Sequence, residues 1–358
     1  MTLEQFSNAS LITAWVFYTV AFFSFVITVT GKSWGHGQPE QFEQRWKKRS
    51  ITLTIIGLAA QLSFFITRWI YAGHIPTSNM FEFITFLTMM IVGAFIVVYF
   101  IYKSAVIGVF VLPLAVLMLS YGAVFPWESQ PLVPSLNSNW LKIHVTTAAA
   151  GEAFFAVGFA AGLMYLMRTI DFTNKSKSGK RQIRWLEITL FMVLCMIGFV
   201  VMTFSFGMAD YNAQFTKEVL DESGDEPQWV TETVTYTLPP IFAPHKGELV
   251  SMDSFLGMSK PLLETPSWMQ GVNSGRKLNT FVWSIIGGLI LYGLFRLVLR
   301  KPVGAAIQPI LKDIKPDDLD EISYRAISIG FPLFTLGALI FAMIWAQEAW
   351  NRFWGWDP

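Results

Sequence analysis

Two things are scarce in this chain of 358 residues: cysteine and charge. The single cysteine, Cys195, sits inside the apolar run LEITLFMVLCMIGFVVMTF, so no intrachain disulfide and no CxxC pair can form. That excludes a thiol relay carried by this chain. Charged residues make up 14% of the chain, against roughly 25% in an ordinary soluble domain. Much of the chain must therefore sit in lipid. No P-loop, nucleophile elbow or dinucleotide fingerprint occurs, and no two of the four histidines have zinc-site spacing. Internal repeats and low-complexity segments are also missing. The first residues, MTLEQFSNAS, lack a basic n-region and lead into a run long enough to span. They predict a retained anchor and not a cleaved signal.

What is present is hydrophobic and aromatic: 53% and 16% of residues. About 20 apolar residues cross a bilayer as a helix. Eight such runs occur, at 11–30, 51–72, 83–102, 105–124, 145–167, 186–206, 280–299 and 326–346. The fold expected is an all-α polytopic membrane protein. Lys and Arg set its orientation. Eighteen of the 26 basic residues fall in one set of connections, among them Arg45, Lys47, Lys48, Arg49, Arg181, Arg184, Arg300 and Lys301. That side is expected to be the cytoplasm, with the N-terminus and the C-terminal tryptophans outside. Three regions follow: 1–206 with six spans, an acidic outer loop at 207–277, and 278–358 with the last two spans. Within the loop, QWVTETVTYTL alternates with the period of a strand, which predicts a small β element. The stretch KPVGAAIQPILKDIKPDDLDEISYR, broken by Pro302, Pro309 and Pro316, is expected to be a short surface connection.

The outer side carries the chemistry-bearing residues. Trp345, Trp350, Trp354 and Trp356 crowd the end of the last span, before Asp357 and Pro358. Two readings of this run stand side by side. One is an interfacial aromatic belt; the other is a flat platform for a flat apolar ligand such as a porphyrin. Trp350 and Trp354 are one helical turn apart and are expected to share a face, with Gly355 and Pro358 turning the backbone out of the helix. His144 opens the fifth span, with Trp140 four residues earlier on the same face. A neutral imidazole there suits iron, copper or zinc; a helix-start histidine facing headgroups is the plainer alternative. His74 lies in an outer loop, His245 in the acidic loop and His36 on the basic side, where solvated roles suffice. Inside the spans, Arg68 is expected to snorkel outward. Glu152 needs an internal partner or a proton, and a structural role as glue fits it best.

Four blocks, RWIYAGHIPTSNMFEF, NWLKIHV, LDEISYRAISIGFPLFTLG and WAQEAWNRFWGWDP, resemble in order the signature blocks of the CcsA/ResC family. These are the heme-handling membrane components of the System II cytochrome c maturation pathway. The last block is similar to that family's tryptophan-rich WWD motif, and the resemblance covers about two thirds of the chain. It implies that His144 is an axial heme ligand, that Trp350, Trp354, Trp356 and Asp357 contact heme, and that His74 belongs to a GHxPxSN block without an assigned role. Lys142 and Arg352 are candidate partners for the propionates. The implied ligand is heme b, presented to the CxxCH thiols of an apocytochrome c. The implied partners are a CcsB/ResB-type membrane protein and a thiol reductant, and the implied location is the cytoplasmic (inner) membrane. A transporter or structural subunit with a plain tryptophan belt is the alternative. The family pattern runs on past Asp-Pro into further histidines, so this stretch alone is expected to bind heme weakly. The spans 186–206 and 280–299, with the loop between them, look like an insertion.

Overall fold

A computed structural model describes residues 2–31, 39–129, 137–221, 228–269 and 273–354. Among these, eight helices are long and apolar enough to cross a membrane. They are α1 (Leu3–Thr30), α2 (Pro39–Ala72), α3 (Met80–Tyr102), α4 (Ala105–Gly122), α5 (Asn139–Thr169), α6 (Lys177–Met208), α7 (Ser274–Leu299) and the continuous run Pro316–Trp350. Each coincides with one of the eight apolar runs, and the polytopic α-helical expectation holds. The chain forms two compact units, Met1–Asn174 with Ile307–Pro358, and Lys175–Ala306.

In the first unit the helix starts are written locally. Thr2 accepts from the Gln5 amide while Gln5 reaches back to the Thr2 amide, a closed capping box for α1. Asn79 and Ser138 cap α3 and α5 through their side chains. α1 packs on α2 and α4, α3 on α4 and α5, and α5 on the last helix. That last contact is close: a Cβ at Gly151, Gly330 or Gly337 would strike the backbone of the facing helix. Small residues that let backbones meet are the usual means of helix association in lipid.

The last helix differs from expectation at both ends. It begins at Pro316, ten residues ahead of the apolar run, as α9 (Pro316–Thr335). The proline-broken stretch is therefore not only a surface connection. α8 (Val303–Ile307) and a 3₁₀ turn at Gln308–Leu311 precede it, and Leu311, Leu319 and Ile322 are buried. Proline is tolerated at a first helical position because its missing N–H has no partner there anyway. Pro332 interrupts α9 from inside, and a π-helical turn, Leu336–Phe341, follows before α10 (Ala342–Trp350).

The second unit holds α6 and α7, packed glycine on glycine at Gly198, Gly287 and Gly288. Between them lies the expected β element. β1 (Ala213–Asp221) and β2 (Gln228–Tyr236) pair antiparallel, β4 (Glu248–Met252) pairs on the other edge of β1, and β3 (Phe242–Ala243) pairs parallel with β5 (Leu263–Glu264). The alternation read in QWVTETVTYTL is β2. Its inward residues Val234 and Tyr236 face Phe215 and Ala213 across the pair, and these four form the buried core with Tyr211. Burial holds the Tyr211 and Tyr236 hydroxyls up at about 12. Asn279 of α7 accepts from the Ile241 and Phe242 amides and donates to the Phe242 carbonyl, tying the helix to β3. The acidic residues Glu222, Asp225 and Glu226 lie outside the described residues.

Candidate heme site

His144 lies in the second turn of α5, facing the π-helical turn of the last helix. Its Nδ1 is 2.9 Å from the Gly337 carbonyl oxygen. A carbonyl only accepts, so Nδ1 carries the proton and donates it. In the neutral ring Nε2 then keeps its lone pair, the form in which histidine binds a metal. The π turn makes this bond available. The Ala342 amide reaches back five residues to Gly337, and the same oxygen uses its second lone pair on His144. Gly337 has to be glycine for the approach, since a side chain would overlap the Ala148 backbone.

Aromatic rings surround this imidazole. Trp345, 3% exposed, stacks on His144 at 5.9 Å between centroids and 8° between planes. Trp350 contacts Trp345 at 4.9 Å, and Trp140 meets Phe341 at 6.0 Å. Trp140 and His144 do share a face, because α5 begins at Asn139. Trp350 and Trp354 do not share one. The helix stops at Asn351, which adopts the left-handed conformation at φ 54° and caps the Gln347 carbonyl. Asparagine is among the few side chains that tolerate that region. The stop therefore falls ahead of Gly355, and Trp354 lies beyond it at 67% exposure. Trp356 and Asp357 lie outside the described residues. Lys142 donates to Asn139 at 3.2 Å, and Arg352 is exposed just past the helix stop.

The loop after α2 is built on a buried ion pair. Arg68 does not snorkel: it is 0% exposed, as is Glu82, and its Nε donates to Glu82 Oε1 at 2.7 Å. Its Nη1 donates to the Tyr71 hydroxyl at 2.7 Å. Glu82 Oε2 accepts from both the amide and the hydroxyl of Ser78. A charge this deep is held by a partner because desolvation would otherwise cost several kcal/mol, on the order of 3–5 when one partner is lost. His74 stands in this loop, buried, with Nδ1 3.0 Å from the Ile75 carbonyl, so it too is a Nδ1–H tautomer. Glu152 is half-buried in α5 and has no ion pair or hydrogen bond among the described residues, which leaves the proton as the alternative read from sequence. His245, read as solvated, faces Glu264 at 3.6 Å in the second unit. His36 lies outside the described residues. No cluster of three or more metal-ligating side chains occurs among the described residues.

Sequence reasoning missed Trp345 as the imidazole's stacking partner and Glu82 as the partner of Arg68. The first sat in the tryptophan run itself. The second was visible as an acid in the first turn of the next span, a position that needs a reason in lipid.

A family model described as cytochrome c assembly protein matches residues 77–208 and 278–358. The chain belongs to the cytochrome c assembly protein family. Among similar proteins are the cytochrome c biogenesis proteins CcsA of Crocosphaera subtropica, 27% identical over 295 residues, and of Gloeothece citriformis, 28% over 295 residues. Both alignments cover 81% of this chain and 64% of the relative. The CcsA of Synechococcus sp. JA-3-3Ab is 28% identical over 318 residues, covering 86% of this chain and 69% of the relative. The chain spans a little under two thirds of the length of most of these relatives. No solved structure matches it. The match includes both spans at 186–206 and 280–299 and omits residues 209–277. The insertion read from sequence is thereby confined to the loop.

Proposed function

We propose that this protein holds heme at the outer face of the cytoplasmic membrane and presents it to the CxxCH thiols of apocytochrome c for thioether attachment. The observation that carries the reading is the Nδ1–H bond from His144 to Gly337, which orients the ring and reserves Nε2 for iron. Membership of a cytochrome c assembly family supports it independently. In this reading Trp140, one turn before His144, and Trp350, packed on the buried Trp345, offer apolar surface to the porphyrin. Trp354 joins from beyond the helix stop, and each buried Å² contributes about 25 cal/mol. Trp356 and Asp357 complete the motif in this reading, and Lys142 and Arg352 are the cations offered to the propionates. Heme b is the ligand proposed. When bound, its iron would supply the bond to imidazole; the chain would supply a fixed tautomer and a stacked ring. In this reading the chain contributes positioning.

His74, held as a Nδ1–H tautomer in a loop clamped by Glu82, is the outer histidine proposed as a further heme contact. A CcsB/ResB-type membrane protein and a thiol reductant are the partners proposed, the latter because Cys195 is the chain's one thiol and cannot keep a client's cysteines reduced. The basic connections are placed in the cytoplasm and the tryptophans outside.

The test is His144→Gly. Purified variant should lose at least about nine tenths of bound heme, and added imidazole should restore part of the wild-type optical spectrum by filling the vacated space. Wild-type heme content and spectrum in the variant would refute the assignment.

A further inference from the structure

A cavity of about 730 Å³ opens between α1 and α2 at the basic end of these helices. Its two ends differ in chemistry. Arg45, Lys48 and Arg49 stand at one end; Val20, Phe23 and Leu53 line the other. No carboxylate is among the described residues that line it, and Glu43 on the same helix is paired with Lys47 at 2.7 Å. Ser24, one of the lining residues, is tied into a hydroxyl cluster between the two helices. Ser24 and Ser50 share a hydrogen bond of 2.7 Å, and Thr28 reaches Ser50 at 3.2 Å. This clamp fixes the two helices and leaves the cavity walls apolar.

Depth can be read from the helix. α2 is 34 residues long, about 51 Å at 1.5 Å per residue, against a hydrocarbon layer of about 30 Å. Its apolar part starts at Ile51, so Arg45 to Arg49 stand at headgroup level. Trp46, with Arg49 5.1 Å over its ring, marks the same interface. Leu53 lies about 12 Å further in than Arg45, and Val20 and Phe23 are 48% and 58% exposed on a spanning helix, where acyl chains would cover them. Cationic residues at headgroup depth above an apolar wall fit an anionic amphiphile of the bilayer. A porphyrin fits less well, because the described residues that line the cavity include no histidine, cysteine, methionine or tyrosine to ligate iron.

We propose that this groove binds the phosphate headgroup and upper acyl chain of an acidic phospholipid, in the leaflet at the basic end of the spans. The inference does not depend on the heme reading.

The experiment uses the purified chain, stripped of lipid in detergent. It is titrated with phosphatidylglycerol and with phosphatidylcholine of the same acyl chains, and bound lipid is counted by native mass spectrometry. One phosphatidylglycerol should bind at least about tenfold more tightly than phosphatidylcholine. The triple variant R45Q/K48Q/R49Q should lose that preference. Val20→Trp, which fills the cavity and changes no charge, should weaken phosphatidylglycerol by a similar factor; it decides the matter alone if the triple variant does not fold. Equal binding of the two lipids would overturn the proposal. So would full affinity in Val20→Trp, which would leave only general attraction to a basic surface. Displacement of phosphatidylglycerol by free heme, one for one, would overturn it in favour of a porphyrin site.

Discussion

At the scale of single residues, the Arg68–Glu82 pair shows how a lipid-embedded chain keeps a charge. Both side chains are fully buried, and Glu82 also fixes the loop that carries His74 through Ser78. Glu82→Ala leaves the guanidinium without its anion, so it should destabilise by about 3–5 kcal/mol. The double change R68L/E82L removes both charges and should cost less than either single change. Thermal unfolding in detergent measures this; single variants that melt with the wild type would show that the pair bears no such weight. The pair also shows what sequence could and could not reveal. Arg68 stood out as costly, but its partner lies fourteen residues on, in another helix, where no fixed spacing links them. His144 was legible as a histidine at a span's start. Its acceptor was not, because the group that fixes its tautomer is a backbone carbonyl 193 residues away, and a carbonyl has no identity in sequence.

At the scale of elements, hydropathy located all eight spans because a bilayer imposes one length on each. It placed β2 as well, since one face of that strand is buried against β1. It did not locate the π turn. LGALIF is as good an α-helix as a π-helix by propensity, and the extra residue is tolerated because Gly337 can come against α5. That turn should be functional in its register. Inserting one alanine after Phe341 adds a full α-helical step beyond the turn and rotates Trp345 and Trp350 by about 100° relative to α9. The His144 ring then loses its stacking partner. Heme content should fall by at least about tenfold while the protein remains inserted in the membrane fraction. Unchanged heme would mean that the turn's register is irrelevant to the site. The stop at Asn351 was missed for a related reason. Gly355 and Pro358 are the stronger breakers in sequence, but an αL asparagine capping Gln347 ends the helix first.

At the scale of the whole molecule, the site and the β element belong to different units. His144, Gly337 and Trp345 all lie in the unit of Met1–Asn174 and Ile307–Pro358, whereas the sheet belongs to Lys175–Ala306. The sheet has its own core, with Phe215 and Ala213 fully buried against Tyr236 and Val234, and the family match omits residues 209–277. On the proposed function, the sheet is expected to serve recognition and not heme retention. Its surface bears large apolar side chains without cover: Leu256 is 92% exposed, Trp268 80% and Leu262 70%. Such uncovered apolar side chains are candidates for contact with a partner, and the acidic sequence of the loop would draw a basic one. Replacing 210–272 with a flexible Gly/Ser linker keeps α6 and α7, whose glycine contact at Gly198 and Gly287 is independent of the sheet. Bound heme, read from the optical spectrum of the purified variant, should stay within about a factor of two of wild type. Cytochrome c maturation in cells should fall severalfold. If heme disappears together with the loop, the separation of roles is wrong and His245, the histidine removed with it, becomes the ligand to test next.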